Sequence, residues 1–275
     1  MQISHFVSNH NLQTAFWTLG DDQAQNLPLI LVHGFTGSKL DFCDQMGWFG
    51  HDRRVIAYDQ RGHGESSNAA PYDFDSLVND FFGFIDALGI AKAHVLGHSL
   101  GGMVVMRAAL AQPQRFASMI LMDTAPGPLG LFPAQTQHRI NKIVVEHGCD
   151  ALLEGMKMAR QPAHVRRAIK LLGDEEHWRR ISVKLRQMDP KAFVDLAALL
   201  HEHPTVMTSL AGLEVQTTVI VGAKDKPFIK PSKAMTATLA NATLVKISRA
   251  GHSPQYENPQ AWQEAVDNHL ASLAV

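Results

Sequence analysis

The chain has 275 residues, of which 45% are hydrophobic and 19% charged, so its length allows one large domain or two small ones with a sizeable core. Its formal net charge of −1 gives no electrostatic reason to expect nucleic acid or an anionic membrane as a partner. We therefore predict a small-molecule substrate that is not selected by bulk charge. The sequence leaves the oligomeric state open.

The start of the chain lacks a basic region followed by an apolar one, and no apolar run approaches the roughly 18 residues of a membrane helix. This pattern predicts a cytoplasmic protein. The 15 histidines are scattered without a paired Cys/His cluster, so no metal site is predicted. Cys43 and Cys149 have neither metal-ligand nor CxxC spacing and imply no disulfide framework.

Eight short apolar runs predict strands. Two alternating segments near the start, 3–7 and 12–17, are joined by the polar residues 8–11 and predict an antiparallel hairpin at a sheet edge. Six further runs follow, most of them separated by helical patterns, at residues 28–32, 54–58, 93–96, 119–122, 217–221 and 243–247. Such alternation predicts an α/β fold with a mostly parallel, eight-stranded sheet.

The alternation breaks between 126 and 213, where no strand-like run occurs. Helical periodicity dominates this part of the chain, at residues 140–146, 151–158, 165–172, 177–187 and 192–201. Proline and glycine cluster at 126–130, as they do in a hinge or linker. We interpret 126–213 as an inserted helical cap, or lid, and 1–125 together with 214–275 as the core domain.

Residues 97–102 read GHSLGG and lie between an apolar run and a helical pattern. Strand, sharp turn and helix in this order form a nucleophile elbow, in which a serine hydroxyl stands exposed above the sheet. The strained backbone of such a turn leaves no room for a Cβ at the flanking positions, and Gly97 and Gly101 supply that clearance. We therefore predict Ser99 as a nucleophile.

A serine hydroxyl is a poor nucleophile at neutral pH, so it needs a base within reach and an anion that orients the base. His252 lies on a loop before the last predicted helix, and Asp225 follows the strand at 217–221. Catalytic groups gather at the carboxyl edge of open α/β sheets. We predict His252 as the base and Asp225 as the acid. Asp123, which follows the strand at 119–122, is the alternative acid.

The tetrahedral intermediate of acyl transfer also needs hydrogen-bond donors for its oxyanion. The amide after the nucleophile, that of Leu100, is predicted as the first donor. The second predicted donor is the amide of Phe35, in the loop 33–37 that follows an early strand and turns back at Gly34.

Three further residues are predicted to line a pocket or to support it, because each is adjacent to one of these groups in sequence. They are His33, His98 and Phe228. A histidine in the position of His33 more often braces the oxyanion loop through hydrogen bonds than transfers a proton. The glycine-rich segment 59–66 lacks the phosphate-loop pattern and is predicted to be a structural loop.

Together these motifs resemble the α/β-hydrolase superfamily over nearly the full length outside the cap. The matching pieces are HGF at 33–35, DQRGHGES at 59–66, GHSLGG at 97–102, Asp225, and GH at 251–252. The chain order Ser, Asp, His is the order of the triad in that superfamily. The resemblance implies a mostly parallel sheet, a helical lid over the catalytic edge and no cofactor. It is specific for fold and triad and says little about the substrate.

The function that we predict is that of a carboxylesterase-like serine hydrolase, which cleaves small to medium carboxylic esters through an acyl-enzyme. One alternative uses the same triad for carbon–carbon bond hydrolysis, or for a menaquinone-pathway type of lyase reaction, on a carboxylate-bearing substrate. Those reactions need a cation aimed at the carboxylate, for which the candidates are Arg107, Arg139, Arg160 and Arg166.

Two features, one of the early loop and one of the predicted nucleophile, bear on the remaining alternatives. The loop 33–37 lacks the Gly-Pro-Gly often found in carbon–carbon hydrolases, which lowers that option. An epoxide hydrolase or dehalogenase is disfavoured because those relatives have aspartate at the position of Ser99. A lactonase, a perhydrolase and a non-catalytic ligand receptor of the same fold stay as further alternatives.

Overall fold

The computed structural model describes residues 3–9, 12–21, 24–130, 133–161 and 163–272. One sheet runs through these residues, with eight strands in the order β1-β2-β4-β3-β5-β6-β7-β8. The strands are β1 (His5–Asn9), β2 (Leu12–Leu19), β3 (Asn26–Val32), β4 (Arg53–Tyr58), β5 (Ala93–His98), β6 (Phe116–Met122), β7 (Thr217–Gly222) and β8 (Ala242–Ile247). The predicted eight-stranded α/β sheet is confirmed.

Each predicted apolar run is a strand, and the direction of pairing is also as predicted. β3 to β8 pair in parallel with one another, whereas β1 and β2 form an antiparallel hairpin at the sheet edge. In the hairpin, Asn9 pairs with Leu12. Two residues of its predicted turn, 10 and 11, lie outside the described residues. β5 continues to His98, so the strand ends directly before Ser99.

Helices cover the sheet and fill the connection between β6 and β7. They are α1 (Met46–Phe49), α2 (Phe74–Ala87), α3 (Leu100–Ala111), α4 (Ala134–Met158), α5 (Ala163–Leu172), α6 (Asp174–Arg186), α7 (Pro190–His201), α8 (Met207–Leu210), α9 (Lys226–Thr238), α10 (Pro254–Glu257) and α11 (Pro259–Ala271). We call α4 to α8 the inserted helices. Among the described residues, no helix combines the length and the apolarity that crossing a membrane requires.

The inserted helices match the predicted helical segments with two differences. The short helix α8 (Met207–Leu210) is not among the predicted segments. The segments 140–146 and 151–158 both lie in α4, whose path is interrupted at Gly148, where φ is 76° and ψ is 176°. Glycine adopts such a positive φ without the penalty that a Cβ imposes, so the interruption is local and the helix resumes beyond it. The division into a core (1–125 and 214–275) and a cap (126–213) stays a prediction.

The core lies in two layers, one on each face of the sheet. On one face, Val95 of β5 belongs to the same buried cluster as Met103 of α3 and Phe81 of α2. On the other face, the next residue, Leu96, belongs to a cluster that includes Trp262 of α11. Strands that are buried on both faces are mostly apolar along their length, and they can therefore be recognised in the sequence as continuous apolar runs. Polar side chains are then left to the strand ends.

Candidate active site

Ser99 occupies the turn between β5 and α3 in a backbone conformation that few non-glycine residues adopt, with φ of 52° and ψ of −118°. The Ser99 amide donates to the carbonyl of Met122 (2.9 Å), and the hydroxyl of Thr124 donates to the carbonyl of Ser99 (2.6 Å). A strained conformation persists only where its surroundings determine it. The end of β6 therefore holds the elbow in place.

The glycines of the elbow leave no room for a side chain. A Cβ built on Gly97 would lie 2.7 Å from the carbonyl oxygen of Gly101, and one on Gly101 would collide with the carbonyl oxygens of Val32 and His33. These contacts are with backbone atoms, which cannot rotate away as a side chain can. The clearance that the sequence predicts is thus present, and β3 and α3 approach each other more closely than any residue with a Cβ would allow.

His252 and Asp225 form a hydrogen-bonded pair beside the elbow. Asp225 follows β7, His252 follows β8, and the distance from His252 Nδ1 to Asp225 Oδ2 is 2.7 Å. A carboxylate accepts, so Nδ1 carries the proton and Nε2 of the neutral ring has a free lone pair. The side chain of His252 is 32% exposed, whereas that of Asp225 is 9% exposed. The ring can therefore meet a substrate while its orienting anion is shielded from water.

The hydroxyl of Ser99 makes no hydrogen bond with another described residue. In enzymes without substrate the contact between nucleophile and base is often long and tightens only when substrate binds. The strand that leads into the elbow does contact the predicted base, because the ring of His98, the residue before Ser99, lies 4.9 Å from the ring of His252.

His98 is hydrogen-bonded to the backbone of His252. Its Nε2 donates to the backbone carbonyl of His252 at 2.7 Å. Burial lowers the pKa of His98 to about 3, so the ring stays neutral and keeps the tautomer that this hydrogen bond needs. The ring of Phe228 also lies close to His252, with the two ring centroids 4.7 Å apart. The structure thus brings two of the three predicted pocket residues into contact with the predicted base.

His33, the third predicted pocket residue, is fully buried and braces the loop 33–37. Its Nε2 accepts from the amide of Gln60 (3.0 Å), so its Nδ1 is protonated and donates to the carbonyl of Gly34 (2.8 Å). Burial lowers the pKa of His33 to about 4, which keeps the ring neutral. The hydrogen bonds are those of a bracing residue, as the sequence reasoning favours.

The two predicted oxyanion donors flank the elbow. Leu100 is the first residue of α3, so its amide has no partner within that helix. The loop that carries Phe35 lies against Ser99, since a Cβ built on Gly34 would come within 3.0 Å of Ser99 Cβ. Neither amide donates a hydrogen bond to another described residue. Both are therefore available to a ligand atom.

Asp123, the alternative acid, lies behind the pair formed by Asp225 and His252. It is fully buried with φ of 43°, and its Oδ1 accepts from the amide of Gly222 at 2.9 Å. Burial, and then the negative charge of Asp225, raise the pKa of Asp123 well above its usual value. The raised pKa favours the protonated form of Asp123, while the hydrogen bond to Nδ1 of His252 belongs to Asp225.

Asp123, Asp225 and His252 also have the composition of a metal-ligand set, with ligand atoms within 4.8 Å of one another. The hydrogen bond to Asp225 places a proton on Nδ1 of His252, and a protonated nitrogen has no lone pair for a metal.

Residues 28–259 match the family described as alpha/beta hydrolase fold. The chain belongs to this family. It is 32% identical over 240 residues to the dihydrolipoyllysine-residue acetyltransferase component of the acetoin cleaving system of Pseudomonas putida, a match that covers 84% of this chain and 60% of that protein. The chain therefore spans well under two thirds of the length of this relative.

Solved structures of two hydrolases are similar to this alpha/beta hydrolase over nearly its whole length. An esterase from Thermogutta terrifontis has a TM-score of 0.82 and 25% identity, with 99% of this chain and 100% of that chain covered. A hydrolase from Pseudomonas aeruginosa PA01 has a TM-score of 0.82 and 26% identity, with 97% and 98% covered. The likeness supports hydrolase activity for the chain.

Two residues that support the site in this alpha/beta hydrolase are missing from the sequence prediction. Thr124 holds the carbonyl of Ser99, and Glu257 accepts hydrogen bonds from the amides of Gly251 and Ser253, on either side of His252. A threonine after a strand and a glutamate in a short helix carry no pattern of their own. Only the fold brings them to Ser99 and His252.

Proposed function

We propose that the protein is a serine hydrolase that cleaves small to medium carboxylic esters through an acyl-enzyme. The observation that carries this proposal is the position of Ser99, in a strained elbow beside a histidine whose Nδ1 is held by Asp225 at 2.7 Å. Nucleophilic acyl transfer requires a base that is held in one tautomer beside a hydroxyl group.

In the first half of the proposed reaction, Ser99 Oγ attacks the ester carbonyl and Nε2 of His252 takes the hydroxyl proton. The carbonyl oxygen becomes an oxyanion, which accepts hydrogen bonds from the amides of Phe35 and Leu100. Asp225 stabilises the imidazolium that forms. The imidazolium then gives its proton to the leaving alkoxide, so that an alcohol departs and an acyl-serine remains.

In the second half, His252 removes a proton from water, and the hydroxide formed attacks the acyl carbonyl. The same two amides hold the second oxyanion. As the intermediate collapses, Ser99 Oγ leaves and recovers its proton from His252. The products are a carboxylic acid and the free enzyme, and no cofactor enters either half.

Contacts of the inserted helices support their role as a cap over this edge of the sheet. Phe193 of α7 packs against Phe35, with ring centroids 5.0 Å apart. Lys184 of α6 forms an ion pair of 2.6 Å with Asp41, which lies shortly after the predicted oxyanion loop. We propose that residues 126–213 form the cap and shape the acyl and alcohol sites.

Two of the four candidate arginines have protein partners other than the triad residues, which supports ester hydrolysis over chemistry on a carboxylate-bearing substrate. Arg107 stacks on Phe74 at 3.7 Å and donates to the carbonyls of Met103 and Pro204. Arg166 donates to the carbonyl of Gln161 within its own segment. Arg139 and Arg160 are exposed residues of the inserted region. No hydrogen bond joins any of the four to Ser99, Asp225 or His252 among the described residues.

A second candidate function is transfer of the acyl group to an alcohol or thiol. It is favoured by the relative from Pseudomonas putida, which is named as an acetyltransferase component. The two functions share the acyl-enzyme and differ in the molecule that resolves it. Hydrolysis in the presence of increasing ethanol separates them, because a transferase forms ethyl ester at the expense of acid.

The test of the proposed function is hydrolysis of p-nitrophenyl esters of increasing acyl length by the intact protein and by Ser99→Ala. We expect turnover of the shorter esters and its loss, by about a million-fold in kcat, in the variant. A protein that cleaves only a dienone acid, or a variant that keeps the activity of the parent, would contradict the proposal. A folded protein that turns over nothing and does not react with a fluorophosphonate would favour a ligand receptor.

A further inference from the structure

A single carboxylate oxygen holds the backbone on both sides of His252. Oε1 of Glu257 accepts from the amide of Gly251 at 3.0 Å and from that of Ser253 at 3.3 Å. The side chain of Glu257 is only 3% exposed, so water cannot readily replace these hydrogen bonds. The path of the loop between β8 and α10, and with it the position of the His252 ring, depends on where this carboxylate lies.

The other oxygen of the same carboxylate is bound from an inserted helix. Arg167, on α5, reaches Oε2 of Glu257 with Nε at 2.9 Å and with Nη2 at 2.7 Å. Hydrogen bonds between a guanidinium and a carboxylate are short, directional and stronger than neutral ones. Removal of one partner of a buried ion pair leaves the other charge uncompensated, which is costly. The location of Glu257 is therefore tied to that of α5.

Other ion pairs attach the inserted helices elsewhere. Lys184 of α6 pairs with Asp41, and Arg180 of α6 pairs with Asp44, both at 2.6 Å. These acidic partners belong to the segment after β3. Among the ion pairs described between an inserted helix and the rest of the chain, the one with Arg167 is distinguished by an acidic partner that also binds the two amides flanking His252.

We propose that Glu257 is a positioning residue for His252, and that Arg167 makes this positioning depend on the docking of α5 against α10. The inference rests on the proposed function, in which His252 is the base. When α5 is docked, the carboxylate is held between the guanidinium and the two amides, and the His252 ring is held against Asp225. When α5 moves away, the carboxylate follows its cation or turns to water, and the loop loosens.

The test compares two neighbouring arginines of α5. Arg167→Met removes the partner of Glu257, and Arg166→Met makes the same change at an exposed position whose hydrogen bond, to the carbonyl of Gln161, is local. The readout is the rate constant for reaction of Ser99 with a small fluorophosphonate, measured well below the melting temperature of each variant. We expect about a tenfold loss for Arg167→Met, short of the roughly 100-fold that a displacement of about 1 Å costs. Arg166→Met should stay within about twofold of the parent.

Two further variants separate positioning from general damage. Arg167→Lys restores a cation in reach of Glu257 and should recover most of the lost rate, although a point charge cannot reproduce the planar fork. Glu257→Gln keeps an oxygen acceptor for the two amides but no longer attracts Arg167. In that background, we expect Arg167→Met to cause little further loss. Equal fluorophosphonate rates for Arg167→Met and Arg166→Met would overturn the proposal. So would a double variant, Arg167→Met with Glu257→Gln, in which the rate losses of the two single variants combine in full.

Nuclear magnetic resonance of the His252 ring provides a readout that does not depend on catalysis. We expect the Nδ1 proton resonance of His252 to shift or broaden in Arg167→Met and to stay unchanged in Arg166→Met. If the parent protein does not react with the fluorophosphonate, the proposed function fails, whereas the resonance still decides whether Arg167 positions His252. An unchanged resonance in both variants would overturn the positioning role.

Discussion

Asp123 and Asp225 follow neighbouring parallel strands and place their carboxyl groups together behind His252, with oxygen and nitrogen atoms of the three residues within 4.8 Å of one another. Two carboxylates so close cannot both be charged without a large cost. Asp225 binds Nδ1 of His252, and the pKa of the more deeply buried member, Asp123, is raised. Their roles are therefore distinct, and each role has its own consequence.

Replacement of the two aspartates by asparagine should have unequal effects on the proposed reaction. Asp225→Asn favours the wrong tautomer of His252, and we expect kcat to fall about 10,000-fold. Asp123→Asn keeps an oxygen acceptor for the amide of Gly222 and an N–H donor toward Asp225, so we expect a loss of at most about tenfold. Ester hydrolysis by the two purified variants measures this. A larger loss in Asp123→Asn than in Asp225→Asn would assign the acid to Asp123 instead.

Gly101→Ala should disrupt the elbow, since its Cβ would collide with the backbone of β3. We expect loss of fluorophosphonate reactivity together with a destabilisation of several kcal/mol, in the range of severe overpacking. The matched control is Gly155→Ala in α4, where a Cβ would meet nothing within 4 Å. Alanine is favoured over glycine in a helix by about 1 kcal/mol, so the control should be slightly stabilised. Urea unfolding followed by circular dichroism measures both.

Thr124→Val tests the anchor of the elbow. The change removes the hydroxyl that donates to the Ser99 carbonyl and leaves that buried oxygen without this partner. We expect a destabilisation of about 1–3 kcal/mol and slower acylation of Ser99. Thr238→Val in α9 removes a comparable hydrogen bond, to the carbonyl of Ala234, far from the site in sequence. The control should keep the acylation rate of the parent; an equal loss in both variants would refute a specific role for Thr124.

A buried cluster at the amino ends of β5, β6 and β7 should make the fold sensitive to acid. The Ser118 hydroxyl lies 2.7 Å from Nδ1 of His94 and 2.7 Å from Nε2 of His269, and Thr218 Oγ1 lies 2.8 Å from Nδ1 of His269. Burial lowers the pKa of both histidines to about 4. In the unfolded chain they titrate near their ordinary value of about 6.5.

The unfolded chain therefore binds more protons than the folded one between pH of about 6.5 and about 4, and stability falls as pH decreases through this window. Each histidine contributes a slope of up to about 1.4 kcal/mol per pH unit. We expect His269→Gln to remove nearly the whole contribution of one histidine from the slope of the unfolding free energy against pH. Urea unfolding at several pH values measures this slope. An unchanged slope would show that His269 is not buried neutral in the folded state.

The sequence predicts most of the sheet and the elbow because both depend on local features. Strands such as β5 are apolar on both faces, and the elbow is marked by a short motif of glycines around Ser99. The backbone contacts that require Gly101 are with Val32 and His33, far away in the chain, so the motif and not these contacts makes the elbow predictable. Whether α4 is one helix or two is harder to predict from the sequence, since a single glycine such as Gly148 is compatible with either. Helical periodicity on each side of it is the same.

The supports of the site could not be predicted, because they join residues far apart in the chain. Arg167 and Glu257 are separated by 90 positions, and neither lies in a motif. The raised pKa of Asp123 likewise depends on its complete burial beside Asp225, which no spacing reveals. Local patterns predict the reacting groups, and the tertiary structure determines which charges face one another.

The central claim is that Ser99 carries the acyl group, and peptide mass mapping of the trapped acyl-enzyme tests it most directly. The protein is mixed with a slowly hydrolysed ester, quenched in acid and digested. We predict one acyl group per chain on the peptide that contains Ser99, and no adduct in His252→Ala. Hydrolysis that continues with no adduct on Ser99, or with the adduct on another residue, would contradict the account.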